Sequence, residues 1–230
     1  MKKLHGLYIL VTAALFQQTA QAEGYYISGK FIESTQYASS MDTTLRVGID
    51  PRNASYTEVV SKDDDNRGSV ALGYQFDKYW QIELEYNPKT DSHYITSIDG
   101  GSFSGSRNNY QISTERLMIN AYHEVPFYDS LSVYGQAGLG LSKIDVTGWQ
   151  GNESRRFDSN EQSNLAYSIG AGLRANINSS FISDLGYRYI GLGKVESGFN
   201  RFDNARHQSD EQLKAELSLQ EIYLGLTYLF

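Results

Sequence analysis

Eight stretches of the chain alternate apolar and polar residues with a period of two, a pattern that suits half-buried strands and not helices. Residues 25–33 set Tyr25, Ile27, Gly29 and Phe31 against Ser28 and Lys30. Residues 69–76 set Val70, Leu72, Tyr74 and Phe76 against small or polar neighbours. In residues 79–87, Trp80, Ile82, Leu84 and Tyr86 alternate with Gln81, Glu83, Glu85 and Asn87. Residues 110–125, 131–141, 165–174, 181–189 and 217–230 behave alike. A soluble β-sandwich also alternates, so the connections must decide. Three are short, at residues 77–78, 126–130 and 176–180. Four are long, at 34–68, 89–109, 144–163 and 192–216. A sandwich has no reason to sort its loops this way, whereas an up-and-down outer-membrane barrel has short periplasmic turns and long outer loops. Aromatics cluster by the short turns, with Phe76, Trp80, Phe127, Tyr128 and Phe181 joined by Tyr228 and Phe230 as one interfacial girdle. The expected fold is an all-β, eight-stranded antiparallel up-and-down transmembrane β-barrel with four long extracellular loops. A ten-stranded barrel, with extra strands inside residues 34–68, is the alternative.

The first 22 residues have the plan of a secretory signal peptide. Lys2 and Lys3 precede an apolar run over residues 7–16, and Ala20-Gln21-Ala22 makes a small-x-small cleavage site. The run is too short to span a bilayer as a helix, which takes about 20 residues. Cleavage after Ala22 leaves residues 23–230 as one domain and takes the formal charge from −7 to −9, because two lysines leave with the leader. The chain has no cysteine, which excludes disulfides, thiolate metal sites, thiol catalysis and a lipoprotein anchor. Its acidic balance argues against nucleic acid as a partner. The mean hydropathy is negative, as a barrel with a polar lumen and polar loops allows.

An eight-stranded barrel has an interior that side chains can fill. The inward set is expected to include Lys30, Glu83, Glu85, Arg116, Glu124, Arg174, Asp184, Arg188 and Glu221, five acids against four bases. Near-balance suggests a paired network, since charges withdrawn from water need partners. A narrow ion path along the same residues is the alternative. Inward Gly138, Gly140, Gly170 and Gly172 would leave room for Tyr134 or an arginine opposite.

Enzyme chemistry finds little support. The histidines after the leader are His93, His123 and His207, and none has a nucleophile or acid at a triad or metal spacing. Asp63-Asp64-Asp65 lacks the spaced oxygens of a calcium loop and reads as a solvated charge run. No cofactor is implied. The long connections carry scattered aromatics, Tyr37, Tyr56, Tyr94, Phe103, Trp149, Phe157, Phe199 and Phe202, in a polar background that suits protein recognition.

Two resemblances follow from particular residues. Tyr223-Leu-Gly225-Leu-Thr-Tyr228-Leu-Phe230 resembles the C-terminal assembly signal of bacterial outer-membrane barrels, which implies recognition by the barrel assembly machinery. Residues 25–30, 135–141 and 186–194 resemble strands of the opacity-protein and rickettsial surface-antigen barrels. That resemblance implies a Gram-negative outer-membrane location, contact with membrane lipid and lipopolysaccharide, and a role as adhesin, surface antigen or small porin. A surface protein that binds host or environmental macromolecules through its loops is the favoured expectation. A small porin or an envelope-integrity barrel is the alternative.

Overall fold

The computed structural model describes residues 23–43, 55–100, 104–128, 130–204 and 207–230; the expected leader lies outside them. The strands are β1 (Gly24–Thr43), β2 (Ser55–Val60), β3 (Lys62–Gln75), β4 (Trp80–Asp99), β5 (Arg107–Tyr128), β6 (Leu131–Gln150), β7 (Arg156–Asn176), β8 (Phe181–Glu196) and β9 (Leu213–Leu229). All pairings are antiparallel between neighbours, and β9 returns to β1 with Tyr26 opposite Leu229, closing the sheet. β2 runs along the top of β4, with Ser55 opposite Asp99, and β3 resumes along its lower part, with Val70 opposite Tyr86. β2 and β3 are therefore two pieces of one stave. The additional strand inside residues 34–68 does not widen the barrel, which has eight staves. Closure leaves no edge strand to be satisfied in lipid.

The short turns are closed by side chains. Asp77 Oδ1 accepts the N–H groups of Tyr79 (2.7 Å) and Trp80 (2.8 Å). Asn178 Oδ1 does the same for Ser180 and Phe181, both at 2.9 Å. Each is an Asx turn, in which the side chain mimics a backbone turn. The girdle gathers around them: Phe181 packs 5.1 Å from Tyr228, and Tyr228 packs 5.2 Å from Phe230.

Above the girdle the outer wall is apolar. On β6 the outward series runs Leu131, Val133, Gly135, Ala137, Leu139 and Leu141, and then changes to Lys143 and Asp145. Ten residues at about 3.3 Å each, tilted by about 40°, rise about 25 Å, the height of an outer-membrane apolar band. The strand does not stop there. It continues to Gln150, about 20 Å further by the same geometry.

Most of what the sequence suggested as long loops is therefore sheet. Residues 34–43, 89–99, 107–109, 144–150, 156–163, 192–196 and 213–216 all lie in strands. The physical reason is a reversal of phase. On β9 the lipid-facing Ile222, Leu224, Leu226 and Tyr228 are even-numbered, whereas the buried Leu213, Ala215, Leu217 and Leu219 are odd-numbered. On β5 outward Leu117 and Ile119 give way to inward Tyr110 and Ile112; on β6 outward Leu139 and Leu141 give way to inward Ile144 and Val146. Within the membrane the barrel is apolar outside and charged inside. Above it the solvent lies outside, so the apolar residues turn inward. They form one cluster that includes Tyr94, Tyr110, Ile112, Ile144, Val146, Phe157, Ile190, Leu192, Leu213, Leu217 and Leu219, with Phe202 packed against it.

Candidate functional site

Two parts of the barrel could carry function, the lumen and the outer end. In the lumen, Lys30, Glu83, Glu85, Arg116, Glu124, Arg174, Asp184, Arg188 and Glu221 all face inward and are buried. They form two groups. In the upper one, Glu85 accepts from Arg188 Nη1 (2.6 Å) and Nη2 (2.9 Å), Lys30 Nζ (3.1 Å), Ser69 Oγ (2.6 Å) and Asn120 Nδ2 (2.9 Å). Glu221 accepts from Arg116 Nη2 (2.6 Å) and Arg188 Nε (2.7 Å). Glu83 accepts from Lys30 and from the Tyr122 hydroxyl. In the lower group, Glu124 accepts from Arg174 and from Ser132 Oγ (2.8 Å), and Asp184 lies 3.9 Å from Arg174.

A tyrosine layer joins the groups. The Tyr134 and Tyr223 hydroxyls share a hydrogen bond of 2.8 Å, and Tyr223 donates to Gln136 Oε1 at 3.1 Å. Arg174 sits 5.0 Å from the centre of the Tyr134 ring, and Arg188 sits 5.2 Å from that of Tyr223. These contacts let the cations face aromatic rings where they do not face carboxylates. The rings need room. A Cβ at Gly172 would lie 2.4 Å from the Tyr134 hydroxyl oxygen, and one at Gly186 would lie 2.4 Å from Tyr223 Cζ.

Arg67, buried in the same upper layer, is absent from the expected set because its segment reads as loop. Extending the inward parity of Ala71 and Ser69 by one more step along β3 would have revealed it. Of the C-terminal motif, Tyr223 and Gly225 face the lumen, and Gly225 lies against the Asp184 carboxylate. Tyr228 and Phe230 face outward, and the Phe230 N–H donates to the Tyr25 carbonyl at 3.0 Å.

At the outer end, β6 and β7 turn through residues 151–155, and β8 and β9 connect through residues 197–212. The second connection is fastened down. Asn200 Nδ2 donates to the carbonyls of Phe202 (2.6 Å) and Gln208 (3.1 Å), and its Oδ1 accepts the Glu211 N–H at 2.7 Å. Phe202 packs 5.5 Å from Phe157 and lies under Arg155 at 4.1 Å. The segment thus caps the apolar cluster. Of the aromatics expected in loops, Tyr94 and Phe157 are buried inside and Phe199 is exposed; Phe103 lies outside the described residues. The outward face of the upper barrel is polar. Lys143 and Glu161 pair across it at 3.0 Å, and that hydrogen bond raises the Lys143 pKa.

The Asp63–Asp65 run is likewise not free charge. All three residues are in β3: Asp63 Oδ2 accepts the His93 N–H (2.8 Å), Asp64 accepts from Thr35 (2.7 Å), and Asp65 lies 3.0 Å from Arg67. His123 faces the membrane side, its ring centre 4.4 Å from that of Trp80 and tilted 40° to it.

A family model described as "Outer membrane protein beta-barrel domain" matches residues 7–230. The chain belongs to the outer-membrane protein β-barrel family. Members of this family are Gram-negative outer-membrane proteins, and the apolar band and girdle are its lipid-facing surface. Outer membrane protein PagN of Salmonella typhimurium is 25% identical over the full length of both chains. A Rickettsia bellii protein provisionally named an adhesin is 27% identical over 45% of this chain and 47% of that one. Among solved structures, OprG from Pseudomonas aeruginosa superposes with a TM-score of 0.57 at 14% identity, covering 91% of this chain and 97% of that one. That likeness supports the fold alone.

Proposed function

We propose that the protein is a non-enzymatic surface adhesin whose extracellular barrel end binds host or environmental macromolecules. One observation carries this reading. The barrel continues past the lipid band as an apolar-cored module, and its tip is capped by Phe202, held in place through Asn200. A channel does not call for such a module, and the tyrosine layer and ion network stand across the path beneath it. A rigid scaffold that holds connections clear of the surface favours recognition, because little ordering entropy remains to be lost on binding. The provisional name of the rickettsial relative points the same way. His93, His123 and His207 are exposed and do not face the lumen carboxylates, which supports a non-catalytic role.

Delivery to the membrane is assigned to the leader at residues 1–22 and to the barrel assembly machinery, which would read Tyr223, Gly225, Tyr228 and Phe230. Lipopolysaccharide would surround the upper edge of the apolar band. The test is a loop series in a non-adherent bacterial host: residues 152–154 and 198–210 are each replaced by a tight turn, with surface amounts matched. Adherence to cultured cells should fall with at least one replacement. Unchanged adherence in both, together with loss of solute uptake when the whole protein is deleted, would favour the porin reading instead.

A further inference from the structure

One stretch of the barrel wall has no backbone ladder. β3 pairs with β4 from Val70 downward, and β2 pairs with β4 from Val60 upward. In between, residues 62–69 pair with β1, and residues 87–94 follow β5 through a register shift between Asn87 and Thr90. Pro88, which has no N–H to donate, lies in that shift. The Asp63 carboxylate bridges the seam to the His93 N–H. Lys62 and Lys89 stand exposed at its two edges.

Behind the seam, buried donors lack acceptors. Arg67 is 7% exposed and Arg116 1%. Arg67 Nε and Arg116 Nε and Nη1 have no hydrogen-bond partner among the described residues. The Asp65 carboxylate pairs with Arg67 Nη2 at 3.0 Å and leaves the rest of the fork free. Register places these groups in one layer: Arg67 is opposite Ile32, Arg116 opposite Asn87, and Glu221 opposite Ser34. Thr114 Oγ1 ties Gln36 to the same layer at 3.4 Å. The layer holds four cations, Lys30, Arg67, Arg116 and Arg188, and four carboxylates, Glu83, Glu85, Glu221 and, nearer the rim with 30% of its side chain exposed, Asp65, but those carboxylates leave part of each of the Arg67 and Arg116 forks without an acceptor. Leaving several guanidinium N–H groups unpaired in a buried site is costly, and an anion would relieve that cost.

The depth of the layer indicates which anion. Its outward neighbours mark the upper edge of the apolar band: Phe31 and Glu33, Leu117 and Glu115, Leu141 and Lys143, Ile222 and Gln220. Lipid headgroups occupy that level. Planar guanidinium forks match phosphate oxygens in pairs.

We propose that Arg67 and Arg116 form an anion site, reached through the β3–β4 seam, that takes a phosphate group at headgroup depth. The group could come from free inorganic phosphate or from an outer-leaflet lipopolysaccharide, and the test separates the two. Protein refolded in phosphate-free detergent is titrated with orthophosphate by calorimetry. Arg67→Gln is compared with Lys143→Gln, and heat-modifiable gel mobility confirms that each variant is folded. Saturable binding that weakens about tenfold or more in Arg67→Gln, and is unchanged in Lys143→Gln, assigns free phosphate. In the second arm, protein recovered from lipopolysaccharide vesicles is examined by native mass spectrometry. Retention of lipopolysaccharide that is lost both in Arg67→Gln and on prior dephosphorylation of the lipid assigns the lipid source. Should Arg67→Gln not fold, Arg67→Lys retains the charge without the fork and replaces it in both arms. If neither ligand depends on position 67, the proposal is overturned.

Discussion

Arg188 offers the sharpest test of how the lumen is held together. It has 1% of its side chain exposed and donates three charge-assisted hydrogen bonds, two to Glu85 and one to Glu221. Both carboxylates have no exposed side-chain surface. Arg188→Met keeps most of the side-chain volume and removes all three bonds. The two carboxylates are then left with Lys30, Arg116 and neutral donors, and one negative charge is uncompensated. Breaking one member of a buried ion cluster costs about 3–5 kcal/mol, much of it the stranded charge and not the lost attraction. The partner variant Glu85→Gln in the Arg188→Met background removes that charge while retaining an amide whose oxygen can accept from Asn120 and whose NH2 can donate to the Ser69 hydroxyl. The double variant should therefore recover more than half of the loss. The assay is urea unfolding in lipid vesicles, followed by tryptophan fluorescence and gel mobility, with the four proteins of the cycle at one pH. A cost for Arg188→Met below about 1 kcal/mol, or a double variant no more stable than the single, would refute the view that charge balance organises this lumen.

Three further outcomes are expected. Ile144→Ala, in the apolar cluster above the membrane, should cost about 2–5 kcal/mol, whereas Lys143→Ala on the opposite face should leave the urea midpoint unchanged; equal effects would contradict the dry upper core. Deleting Phe230 should lower the amount recovered in the outer membrane far more than replacing residues 152–154, because Phe230 packs on Tyr228 and donates to Tyr25 where β9 meets β1; normal recovery would remove the assembly role. Planar-bilayer recordings should show no large stable conductance, and large steps whose selectivity shifts on Glu83→Lys would favour a pore.

The nature of the wall was legible in the sequence because lipid imposes a simple rule. A strand in a bilayer must present an apolar face without interruption, so Trp80–Tyr86 and Ile222–Tyr228 announce themselves by alternation alone. The same parity told which residues point inward, and so which charges meet. It could not tell who meets whom. Arg188 reaching Glu85 and Glu221, or Lys30 reaching Glu83, depends on where opposite staves of a closed barrel place their side chains.

Above the membrane the sequence was misleading for a physical reason. Once water replaces lipid outside, the apolar parity inverts; a strand that changes phase midway, as β5, β6 and β9 do, looks like a strand ending in a polar loop. Local pattern therefore determined the membrane barrel, its girdle and its charged interior. The continuation of the barrel into solvent, the capping by Asn200 and Phe202, and the open seam beside Arg67 were decided only by closure, because each depends on residues that are distant in sequence packing around a shared interior.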